Sequence, residues 1–192
     1  MSVLKSPINM RKIVRIIGVL LLSGLTAFCA TGREVGPPSD AVIIKGIPFF
    51  SQGQYQCGPA ALAMVIDYWH RKSGNDLWVT PEEIASHIYS PSARGVLGID
   101  LEIYGRKLGF RADRFSGAMD GLKKLVDEGI PPIIFVDYGF LFYAVHHFMV
   151  VTGYSANGVI VNSGKEEGRF ISAKELDRIW KRNDYWMLAV KP

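Results

Sequence analysis

Cysteine is scarce in this chain: 192 residues contain two, Cys29 and Cys57. If Cys29 is lipidated or removed with a leader, Cys57 has no intramolecular partner. A lone thiol in an oxidising compartment is a hazard unless it serves a purpose, which marks Cys57 as a candidate reactive group. Histidine is also sparse, with four copies. His70 and His87 fall on expected helices without metal-ligand spacing and read as structural, so neither a metal nor an organic cofactor is expected. Internal repeats and low-complexity tracts are absent. An excess of one charge sign is absent from the body of the chain too. The formal charge is +4, but Lys5, Arg11, Lys12 and Arg15 all lie in the first fifteen positions. The remainder is close to neutral and lacks interleaved aromatic and basic residues, which argues against a nucleic-acid partner. No apolar run reaches the roughly 20 residues of a spanning helix.

The N-terminus carries the pattern of a secretory leader. A basic stretch ending at Arg15 precedes the apolar run Ile16–Leu25 and then small residues. Leu25-Thr26-Ala27-Phe28-Cys29 resembles a bacterial lipobox, with Phe28 where that motif takes a small residue. A lipid anchor through Cys29 and ordinary cleavage nearby are both compatible with it. The expected organisation is a signal segment at 1–30, a Gly/Pro-rich linker at 31–41 and one folded domain at 42–192, exported to the periplasm or held at a membrane.

Within the domain, Val42–Lys45 reads as a strand. Pro59 and the run Ala60–Ile66 predict a helix starting at Cys57 and apolar nearly all round, therefore buried. Thr80-Pro81-Glu82-Glu83 starts a second helix as a capping box. Ile99–Tyr104 opens a third, which Gly109 ends, and Gly117–Asp127 makes a fourth. From Pro132 onward β-branched and apolar runs (132–136, 148–152, 159–161 and 187–190) predict strands, interrupted by a helix from Ser172 to Trp180. Helices first and strands later predict an α+β domain, an N-terminal helical layer packed on a C-terminal antiparallel sheet. Asn157-Gly158 is the strongest hairpin turn. Tyr138, Phe140, Phe142 and Tyr143 form an aromatic patch just before His147, for which core packing is the expectation and the lining of a substrate groove the alternative.

The segment from Gln52 to Met64 carries the chemistry. A thiol at a helix N-terminus faces unsatisfied N–H groups and the positive end of the helix dipole, which favours thiolate. Gly58 lets a substrate carbonyl approach the backbone. A Gln upstream can donate to an oxyanion, with the Cys57 N–H as second donor.

Gln52 followed by Cys57-Gly58-Pro59-Ala60-Ala61-Leu62-Ala63 resembles the nucleophile region of the C39 family of papain-like cysteine peptidases. The resemblance implies a papain-like fold, Cys57 as nucleophile and Gln52 as oxyanion donor, with Gln54 and Gln56 as weaker substitutes. His147-Phe148-Met149-Val150-Val151 is similar to the family's base-bearing strand and implies His147 as base, His146 being its neighbour on the opposite face. The family's orienting Asp is missing. Asn162 is the natural match, and an ungapped alignment puts Ser163 there instead. An even hairpin around Asn157-Gly158 places Asn162 on the face of His147, an odd one places Ser163 there. The partner implied is a peptide or protein substrate. A papain-like acyltransferase or transglutaminase and a catalytically decayed binding module are the competing functions. An NlpC-type amidase fits poorly, because Gln56-Cys57-Gly58-Pro59 departs from its nucleophile segment.

Overall fold

The computed structural model describes residues 38–53 and 55–192. The expected leader, its Cys29 and Gln54 lie outside the described residues, as does the linker up to residue 37.

A short strand β1 (Val42–Ile43) leads by an extended segment into helix α1 (Cys57–Lys72), followed by α2 (Pro81–Ile88) and α3 (Gly98–Lys107). Every residue from Gly58 to Tyr68 is buried, as an all-round apolar sequence requires. Thr80 caps α2, its hydroxyl accepting from the Glu83 N–H at 3.1 Å. Gly109, at φ +91°, closes the turn after α3 in the left-handed region open to glycine.

Strand β2 (Arg111–Ser116), helix α4 (Met119–Asp127) and strands β3 (Ile133–Asp137), β4 (His146–Ser155), β5 (Gly158–Ser163) and β6 (Glu166–Ser172) come next. Helix α5 (Ala173–Trp180), a single 3₁₀ turn and β7 (Trp186–Lys191) complete the chain. Ser172 caps α5 by accepting from the Glu175 N–H. The strands form one antiparallel sheet ordered β2-β7-β3-β4-β5-β6, with β1 beside the second half of β4.

The fold is α+β with an antiparallel sheet, as expected, but two strands exceed the sequence reading. Arg111–Ser116 is mostly exposed, Glu166–Ser172 is exposed or half-buried apart from Ile171, and both are mostly polar, so neither carries the apolar run that announces a strand; each pairs along a sheet edge. The helical layer is also double. Ile133, Phe148, Val150, Leu188 and Val190 face α1, α2 and α3, while Ile134, Val136, Met149, Val151 and Met187 face α4 and α5. Strict alternation along β3, β4 and β7 produces the two cores, and both faces are apolar because both are covered.

The aromatic segment after β3 departs from expectation. Tyr138 is half-buried, but Phe140, Phe142 and Tyr143 are 76%, 98% and 82% exposed. They sit on the β3–β4 loop, which is thrown outward from a pinned base. There the buried Asp137 carboxylate accepts from the Gly139 and Val145 N–H groups at 2.7 and 2.8 Å and from Arg182 Nε at 2.8 Å. Burial would raise the Asp137 carboxyl, but these donors outweigh it and hold the group below the usual carboxylate range.

Candidate active site

Cys57 is the first residue of α1 and is partly buried. Backbone N–H groups of Phe148, Gly58 and Cys57 itself surround the thiol and favour its ionised form. Burial is the larger effect, so the thiol sits above its ordinary range in the resting structure. The lowered value that the helix N-terminus alone predicts is therefore reversed, because the packing that buries α1 also dehydrates its tip.

Gly58 has a different reason to be glycine from the one the sequence offered. A Cβ there would collide with Val96 Cγ2 and lie 3.3 Å from Phe148 Cδ2, so the missing side chain lets α1 seat against β4 and the loop before α3.

His147 lies near the start of β4, one position before Phe148. Its Nε2 is 3.0 Å from Ser163 Oγ. Asn162 is not its partner. The Asn162 side chain is buried on the other face, where Oδ1 accepts from the Gly168 N–H at 3.1 Å and Nδ2 lies 3.9 Å from Met64 Sδ of α1. A β-bulge reverses the facing expected of an even hairpin. Ser155 pairs with Gly158 and Gly153 with Ile160, but beyond Thr152 the register shifts, pairing Val151 with Val161 and Val150 with Asn162. One extra residue on β4 moves every later β5 side chain to the opposite face relative to His147. The connection itself is Ala156-Asn157, one residue earlier than expected.

Burial holds His147 below the ordinary imidazole range, and Arg169 on β6 adds to this. Its Nδ1 is the nitrogen left over for Cys57. Among the described residues no hydrogen bond joins the thiol to either ring. His146 alternates to the face of Phe148 and packs tilted against Phe135, ring centroids 5.0 Å apart.

Gln52 is held by its backbone N–H, which donates to the Gly164 carbonyl at 3.0 Å. The residue is 8% exposed, and its side-chain amide nitrogen is buried without a hydrogen-bond partner among the described residues. An unpaired buried donor costs stability, so its presence needs a reason. Gln52, Cys57, His146, His147 and Phe148 line one cavity of about 660 Å³, to which Arg94 and Lys165 add positive charge. Gln56 flanks α1 as its N-terminal cap residue and does not line that cavity. Tyr138, from the aromatic patch, stands beside His147, and so does Arg169, which nothing in the sequence marked. Arg169 belongs to the polar edge strand, which carried no apolar signal.

A thiol at a buried helix tip, beside a histidine from an antiparallel sheet, is the arrangement of the papain-like fold class. A family model described as "Peptidase_C39 like family" matches residues 44–185, and the chain belongs to that family. Among solved structures, a C39-like peptidase from Bacillus anthracis is similar with TM-score 0.64 and 17% identity, covering 79% of this chain and 98% of that one. The peptidase domain of Streptococcus ComA, a bifunctional ABC transporter involved in quorum sensing, gives TM-score 0.62 and 20% identity over 77% of this chain and 99% of that one. A double glycine motif protease from an AMS/PCAT transporter, solved in complex with the leader peptide, gives 0.59 and 23% over 77% and 92%. At these identities the likeness establishes the fold. Among curated proteins none matches.

Proposed function

We propose that this chain is an exported cysteine peptidase in which Cys57, His147 and Gln52 act on a peptide or protein substrate. One observation carries the reading: a helix-tip thiol, an imidazole and an unpartnered buried amide line a single cavity. With the thiol shifted up and the imidazole down, the resting pair is Cys–SH and neutral His. Substrate entry brings the scissile carbonyl to Sγ while the proton passes to His147. The oxyanion is held by Gln52 Nε2 and the Cys57 N–H. His147 protonates the leaving amine, and water then hydrolyses the thioester. Ser163 orients the ring from Nε2, the role the sequence reading gave first to Asn162. Export rests on the leader pattern at 1–30, with a lipid anchor through Cys29 as one form of it.

A second reading, a peptide-binding module, is favoured by one feature. The hydrogen bond to His147 comes from a hydroxyl where the family resemblance implies a carboxylate. Cys57→Ala separates the two. For a peptidase it abolishes cleavage of a peptide library read by mass spectrometry, while circular dichroism and peptide binding persist. Cleavage surviving in Cys57→Ala sinks the nucleophile assignment. Wild-type protein that binds peptides and cleaves none supports the module.

A further inference from the structure

His147 is shared by two cavities. The second, of about 380 Å³, has His146, His147, Gly164 and Lys165 in common with the first but lacks Cys57, and it adds Tyr138, Ser163 and Arg169. Its polar groups are mostly donors. The Tyr138 hydroxyl is buried, with the Ser163 side chain as its hydrogen-bonding neighbour and no other partner among the described residues. Ser163 Oγ meets His147 Nε2 at 3.0 Å; when the ring nitrogen donates, the Ser163 O–H is free to donate onward. The Arg169 guanidinium lies 6.0 Å from the Tyr138 ring centroid, and Lys165 is exposed at the rim. Glu166 is the carboxylate in the wall and pairs with Arg169 at 3.1 Å. Both members of that pair are well exposed, at 38% and 61%, and exposed pairs of this kind are readily exchanged. Glu175 also lies near enough to act on Tyr138.

Two hydroxyl donors, one guanidinium and one ammonium around an open cavity form a site for a small planar anion. We propose that this second cavity binds a carboxylate, which takes the Ser163 and Tyr138 hydroxyls and Arg169 and, through Ser163, becomes the negative partner of His147. The site would make catalysis conditional on its ligand, because a carboxylate behind Ser163 favours the imidazolium that the thiol's proton creates. The carboxylate is either a free small acid or the C-terminal carboxylate of a peptide seated in the adjoining cavity. The inference rests on His147 being the base, and binding is read separately from turnover.

The full chain with isotope-labelled histidine is titrated with sodium formate at ionic strength held constant by sodium chloride. The His147 ring signals, assigned by their loss in His147→Gln, are followed by NMR. Formate is expected to raise the His147 midpoint saturably, by up to about one pH unit. Arg169→Gln and Tyr138→Phe should each raise the half-saturating formate concentration, the former by about tenfold. A second arm compares a peptide bearing a free C-terminus with its C-terminal amide. Displacement of formate by the free acid alone identifies the substrate as the source, and displacement by neither identifies a free small acid. An equal shift with chloride alone, or half-saturation unchanged in both variants, overturns the site. If formate shifts His147 while no peptide is ever cleaved, the peptidase reading fails and the site stands. Cleavage without any formate effect overturns the site alone.

Discussion

Ser163 and Asn162 are neighbours on β5 that point to opposite faces, so substitutions there separate chemistry from packing. Ser163→Ala removes the hydroxyl at His147 Nε2 and is expected to lower kcat about tenfold with little change in melting temperature, measured by peptide cleavage and calorimetry. Asn162→Ala strips the Gly168 N–H of its acceptor and leaves a gap beside Met64, so it should cost about 1–3 kcal/mol of stability and spare kcat of the folded fraction. The reverse pattern would return the orienting role to Asn162. The two histidines divide in the same way: His147→Gln should abolish cleavage, and His146→Gln, which loses a ring contact with Phe135, should retain most of it. At this scale Cys57, Gln52 and His147 were legible, because a motif and a strand pattern surround each. Ser163 and Asn162 were not separable, since their order of facing depends on one bulged residue that leaves no compositional mark.

Helix α1 and the β3–β4 loop show how elements hold the site. Gly58→Ala drives a methyl group into Val96 and against Phe148, so α1 must shift at the turn that carries Cys57. The expected outcome is a loss of about 1–3 kcal/mol in urea unfolding, with activity falling further than stability. Asp137→Ala leaves Arg182 and two loop N–H groups without their common acceptor. With Arg182 about one-third exposed, a cost of roughly 3 kcal/mol is expected, accompanied by faster amide exchange at Gly139 and Val145. Helix positions were readable from caps and periodicity, as at Thr80 and Ser172. The edge strands β2 and β6 were not, since pairing on one side only asks little of their side chains.

For the whole molecule, the site leaves a signature in stability against pH. His147 in the fold binds its proton less readily than in the unfolded chain, where the midpoint is about 6.5. As pH falls below that value the unfolded state takes up a proton first, so stability is lost on acidification through this window. Cys57 behaves oppositely. Its raised value keeps the proton on the folded thiol above about pH 8.5, where the unfolded thiol ionises, so stability is lost as pH rises through that range. A plateau between the two limits is expected in chemical denaturation, its acid shoulder diminished in His147→Gln and its alkaline shoulder in Cys57→Ala. Unchanged shoulders in both variants would contradict the buried neutral pair.

Taken alone, the sequence determined that a buried apolar helix begins at a cysteine, that an antiparallel sheet follows, and that a histidine opens one of its strands. Those properties are local, written in periodicity, caps and a short motif. The tertiary structure decided which side chain meets His147, where Arg169 and Tyr138 stand, and that the thiol is dehydrated more than its helix dipole compensates. Facing across a sheet and burial both depend on residues distant in the chain, and a single bulge at Thr152 is enough to exchange one partner for another.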